Sequence, residues 1–170
     1  TELMGRQITE PSDILDNLRL LVIESLKQTG KIGEHQEGMD ISVISYRKGN
    51  DFIDFAGANQ PLWLVRKGED GYKINEFKGD RMPISYHQRM EPFKCHRIPI
   101  QKGDQIYLFS DGYRHQLGGD NFDVKFGKEK FQKLFLDNAH LPMDNQKSII
   151  EDTFFRWVSG FDQSYIVFKE

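Results

Sequence analysis

One cysteine in 170 residues, Cys95, excludes an intrachain disulfide and any zinc site built on paired thiolates. A reducing compartment suits such a chain. Long hydrophobic runs are missing as well. The longest, such as those over 20–23 and 106–109, last four residues, against the ~20 that a membrane helix requires. No membrane contact is expected of this segment. Charge of one sign is also lacking: the formal net charge is -3 and the pI is near 6.0, so there is no cationic surplus to meet a nucleic acid. The start, Thr1-Glu2-Leu3-Met4-Gly5, has neither basic residues nor an apolar signal core, and a cytoplasmic location is expected.

Several chemical signatures are absent too. No Gly-rich phosphate loop ending in Lys-Ser or Lys-Thr occurs, and no Gly-x-Ser-x-Gly nucleophile elbow. The five histidines, His35, His87, His96, His115 and His140, form no i,i+4 pair, which excludes a helical two-histidine zinc site. Cys95 and His96 are adjacent, so a strand would point them to opposite faces, and a thiol–imidazole pair is not expected.

What is present describes one folded domain. Hydrophobic residues make up 38% and charged residues 29%, and 13 phenylalanines supply an aromatic-rich core. The length suits a single core, so residues 1–170 are read as a single domain. Thr9-Glu10-Pro11-Ser12-Asp13 is a helix start, and apolar residues at Ile14, Leu15, Leu18, Leu21, Val22 and Leu26 predict a helix over 11–28. Thr29-Gly30 is expected to close it, with a loop over 31–37. Residues 39–46 and 52–56 flank a Gly-Asn turn and predict an antiparallel hairpin; residues 62–66 and 72–77 predict a second. Strands follow over 91–98 and 105–110, then a turn-rich loop at 118–121, helices over 128–137 and 144–159, and a closing strand over 165–169. Strands that succeed one another as hairpins, with segregated helices, predict an α+β fold of antiparallel sheet. Trp63, Trp157 and the phenylalanines read as core and surface packing, not as a ligand cage.

The chemically informative segment is Gly103-Asp104-Gln105-Ile106-Tyr107-Leu108-Phe109-Ser110-Asp111-Gly112. A strand ending in a carboxylate followed by glycine fixes the carboxylate, while the glycine is expected to let the backbone turn away sharply. Mg²⁺ and Mn²⁺ favour such oxygen donors and keep several waters. Taken alone, the same pattern is also that of a simple turn.

Its neighbours add to it. Phe55-Ala56-Gly57-Ala58-Asn59-Gln60-Pro61, then Gly79-Asp80-Arg81-Met82-Pro83-Ile84, then the segment ending Ser110-Asp111-Gly112-Tyr113, followed by Phe126-Gly127-Lys128-Glu129, resemble in order and spacing the SpoIIE-like branch of the metal-dependent (type 2C) serine/threonine protein phosphatases. The resemblance implies a layered α-β-β-α sandwich of antiparallel sheets flanked by helices. It implies Asp111 as a metal ligand, two Mn²⁺ or Mg²⁺ ions as cofactors, and a phosphorylated regulatory protein as substrate in signal transduction. An upstream sensor or regulatory domain is compatible with it. Glu37-Gly38-Met39-Asp40-Ile41 resembles the family's entry into the sheet, with Asp40 read as structural.

The chain departs from the family in several places. The family's upstream Asp-Gly motif precedes anything here, and Asp162-Gln163-Ser164 runs directly into Tyr165 where the family carries an Asp-Asp pair. Ser85 and His115 stand where a glycine and an acidic residue are common. If the two missing segments exist in the natural protein, a two-metal phosphatase is expected. If not, the expectation is a catalytically inactive pseudophosphatase that serves as a docking module. An unrelated antiparallel α+β domain is the remaining alternative. Lys125, Lys128, Lys130 and Lys133 cluster along one stretch and read as a solvated helix face, or as a seat for an acidic partner or phosphate.

Overall fold

A computed structural model describes residues 10–31, 37–119 and 121–160. The chain divides into two compact units, residues 1–66 with 75–110 and residues 67–74 with 111–170.

In the first unit, helix α1 (Pro11–Ser25) begins on a proline, whose fixed φ and missing N–H suit the first turn. It stops short of the expected Gln28 because a Schellman turn closes it first. Lys27 adopts φ 52, its N–H donates to the Glu24 carbonyl, and the Gln28 N–H donates to the Ile23 carbonyl. Strand β1 (Ile41–Ser45) and strand β2 (Phe52–Ala58) form the first expected hairpin, antiparallel, with Ser45 opposite Asp54. Gly49 at φ 95 supplies the left-handed step in their turn. Strand β3 (Leu62–Gly68) and strand β4 (Gly71–Phe77) are neighbours in a second sheet.

Two readings of the next stretch need correction. Strand β5 is only His96–Pro99, because Pro92 cannot donate to a ladder and the Phe93 N–H goes instead to the Asp16 carboxylate at 3.2 Å. Strand β6 (Gln105–Leu108) does not continue beside β5. It pairs antiparallel with β3, while β5 pairs with β2, so consecutive strands diverge into two sheets, β1-β2-β5 and β4-β3-β6.

Strand alternation then assigns the faces. Ile53, Phe55 and Ile98 of one sheet share a core with Leu62 and Leu64 of the other, and Ile106 packs on it. Ala56 and Ala58, on the opposite face of β2, join Leu15 of α1, Met82, Ile84 and Phe93. Helix, sheet and sheet thus form three layers, each fully buried Leu, Ile or Phe contributing ~1.5–3 kcal/mol of transfer free energy. The Phe55–Pro61 block is a strand and turn, and its packing is tight. A Cβ on Gly57 would lie 2.2 Å from the Gln60 carbonyl oxygen, and one on Gly79 would lie 2.5 Å from the same atom.

In the second unit, Gly112–His115 forms a single helical turn, α2, that the sequence reading missed. The expected loop after it is a short hairpin of β7 (Leu117–Gly118) and β8 (Val124–Lys125). Helices α3 (Lys128–Asn138) and α4 (Met143–Val158) fall where periodicity places them, and Gly127 at φ 85 opens α3. The core is aromatic. The Tyr113 ring lies 5.1 Å from Phe126, 4.9 Å from Phe131 and 5.0 Å from Phe154, and Phe126 meets Trp157 edge-on at 5.3 Å. Gly118 admits Trp157: a Cβ there would lie 2.2 Å from the Trp157 carbonyl oxygen. Both tryptophans are buried. The expected strand over 165–169 lies outside the described residues.

Candidate functional site

The site is assembled along β6. Its register against β3 sets Leu62 opposite Leu108, and Phe109 then packs edge-on against the buried Trp63 ring at 4.5 Å. The strand end is therefore fixed by hydrogen bonds and by an aromatic anchor.

Asp111 follows as the residue preceding α2. Its backbone is helical, φ -75 and ψ -8, and its carbonyl accepts the His115 N–H at 3.0 Å. The chain thus continues into a helical turn. Gly112 does not adopt a positive φ, contrary to the sharp glycine turn expected from the sequence; nothing in the structure explains why a glycine stands there. The Asp111 side chain is half exposed and makes no hydrogen bond to the backbone of its own helix. Its Oδ2 lies 3.1 Å from Nδ1 of His115, one turn on. Its other carboxylate oxygen has no protein partner among the described residues.

The carboxylate at the other end of β6 behaves differently. Asp104 is almost completely buried, and Arg66 grips it in a forked pair, Nε to Oδ1 at 2.8 Å and Nη2 to Oδ2 at 2.6 Å. The Gln101 N–H donates to Oδ2 at 2.9 Å. Burial pushes the Asp104 carboxyl upward, but the hydrogen bonds from Arg66 and from the Gln101 N–H outweigh it, and the net shift is downward. The hydrogen bond to Asp104 in turn raises the Arg66 guanidinium. Three hydrogen bonds, one to Oδ1 and two to Oδ2, commit this aspartate to the structure.

Asp40 accepts a hydrogen bond from the Asn59 side-chain amide at 2.8 Å, tying β1 to the left-handed residue that ends the Gly57-Ala58-Asn59 turn. This agrees with its structural reading. Of the lysines, Lys133 pairs with Asp137 at 2.7 Å and Lys130 lies 4.2 Å over the Trp157 ring, so these two are engaged within their own unit.

A metal needs several such ligands together. Among the described residues no group of three or more His, Cys, Asp or Glu side chains is placed to hold an ion. They do not by themselves fit a two-metal centre, and Asp111 is brought together only with His115. The Asp162 segment lies outside the described residues. The Asp111–His115 pair was readable as an i,i+4 spacing. The Arg66–Asp104 fork, 38 residues apart, was not.

The combination of helices with antiparallel sheets is a type 2C phosphatase-like α+β fold. It is similar to the solved structure of the SiaA-PP2C domain of Pseudomonas aeruginosa, with a TM-score of 0.72 and 22% identity, over 92% of this chain and 56% of that one. At that identity the likeness shows the fold, and the chain spans about half the length of the solved domain. The family is given by sequence: the model for Stage II sporulation protein E (SpoIIE) matches residues 1–157, and the chain belongs to that family. No curated protein matches it. Among the described residues no helix is long and apolar enough to cross a membrane.

Proposed function

We propose that this chain is part of a metal-dependent phosphatase domain that hydrolyses phosphoserine or phosphothreonine on a cytoplasmic regulatory protein, in a signalling pathway. The observation that carries the reading is Asp111. In a chain of this family it is a half-exposed carboxylate at the start of α2, with one oxygen unengaged by the described residues. In this reading Asp111 is one ligand of Mn²⁺ or Mg²⁺, the remaining ligands come from outside the described residues, and both compact units belong to one domain over 1–170. Removing the carboxylate charge while keeping its shape isolates that role.

A second reading rests on a specific observation: the described residues gather no metal-binding cluster. In it the domain is a pseudophosphatase whose sheets and helices serve to dock a partner protein.

Hydrolysis of p-nitrophenyl phosphate, with and without Mn²⁺, by wild type and Asp111→Asn decides between them. Mn²⁺-dependent turnover that the substitution abolishes supports the phosphatase. A folded protein with no turnover in either form supports the docking module.

A further inference from the structure

The first unit carries a polar pocket that has no part in the site above. It opens at the β1–β2 turn with a volume of about 130 Å³, lined by Ser45, Arg47 and Asn50 of the hairpin, Glu10 at the start of α1, and the Asp54–Arg97 pair.

The charges in it divide into a closed pair and an open one. Asp54 and Arg97 are joined by a fork, Nε to Oδ1 at 2.9 Å and Nη2 to Oδ2 at 3.1 Å, and the Arg97 guanidinium sits 4.2 Å over the Phe52 ring. That cation is satisfied twice over. Arg47 and Glu10 remain: both are exposed, neither forms an ion pair with the other or with any described residue, and Glu10 also adds to the negative field at Arg97. The Ser45 hydroxyl and the Asn50 side-chain amide are likewise without a described protein partner.

A small, partly open pocket whose exposed guanidinium and carboxylate form no ion pair among the described residues, with two neutral hydrogen-bonding groups beside them, suits a ligand that carries both charges. A phosphate dianion gains no net attraction there, because Glu10 and Asp54 offset Arg47 and Arg97. A simple cation would leave Arg47 unmatched. We infer that this pocket binds a small zwitterion of the α-amino-acid type, its carboxylate on Arg47 and its ammonium on Glu10, with Ser45 and Asn50 completing the contacts.

Isothermal titration calorimetry of the full chain with glycine, L-alanine, acetate, methylammonium and inorganic phosphate tests this. Glycine and alanine are expected to bind, with acetate and methylammonium weaker by about tenfold or more, the loss of one charge-assisted contact. Arg47→Ala and Glu10→Gln should each weaken glycine binding by at least about tenfold, whereas Lys73→Ala, in the other unit, should leave it unchanged. The Glu10 side chain does not cap α1, so its glutamine variant keeps the helix intact. The proposal is overturned if glycine gives no binding, if acetate or phosphate binds as well as glycine, or if both variants bind glycine as wild type does.

Discussion

Asp104 and Asp111 stand seven positions apart in sequence, Asp104 directly before β6 and Asp111 three residues after it, and they have opposite fates. Asp104 is buried and its oxygens are spent on a guanidinium fork and a backbone N–H. Asp111 is half exposed and, among the described residues, meets only one imidazole. Each is a carboxylate beside a glycine, one just before β6 and one at the start of α2. What separates them is the partner that the fold brings up from elsewhere. A carboxylate already saturated by protein donors cannot take an ion without first losing them, whereas one with an open oxygen can.

The largest expected effect tests the open member of the pair. Under the phosphatase reading, Asp111→Asn lowers Mn²⁺-dependent hydrolysis by about 100-fold or more, the scale of removing a group that stabilises transition-state charge. The melting temperature of that variant should stay close to wild type, because the exposed carboxylate contributes little to folding. Thermal unfolding run beside the kinetics checks both halves. A large loss of stability with no specific loss of turnover would erase the distinction from Asp104.

Asp104→Asn is the reciprocal experiment. It should cost about 2–3 kcal/mol of stability, read as a shift in the urea midpoint, because Arg66 loses its counter-charge and an amide N–H faces its donors. Turnover per folded molecule should be retained.

Acid sharpens the same contrast. The Asp104 carboxyl is lowered in the folded state, so the stability it contributes is fully present above the unfolded value near 3.9 and is lost as pH falls through the lower folded value. Urea midpoints measured from neutral pH down to about pH 3 should fall more steeply for wild type than for Asp104→Asn, which has no such proton to bind. Equal slopes would mean that Asp104 ionises alike in both states.

These carboxylates also mark what could be read in advance. The helices over 128–138 and 143–158 and the β1–β2 hairpin rest on local pattern, and the sequence carried them, whereas the strand expected over 105–110 ends at Leu108, so Asp111 lies three residues beyond it. The divergence of β5 and β6 into two sheets was not visible, because a short turn between two apolar strands looks alike whether they pair with each other or with distant partners. Strand 91–95 failed for a reason that lies 77 residues away, where Asp16 takes the Phe93 N–H. Helix α2 escaped because a single turn has no periodicity to detect. Local rules located the candidate ligand; long-range pairing decided which aspartate was left open.

The smallest effect concerns the partner that Asp111 does have. The His115 side chain is 54% exposed, and its Nδ1 lies 3.1 Å from the Asp111 carboxylate, one helical turn away. An exposed i,i+4 pair of this kind contributes at most about 0.5 kcal/mol, since water screens it and both side chains give up freedom to hold it. His115→Ala should therefore move the urea midpoint hardly at all, against the clear loss expected for Asp104→Asn. A loss as large as that of Asp104→Asn would mean that Asp111 is held by the protein as firmly as Asp104, and its open oxygen would no longer single it out as a ligand.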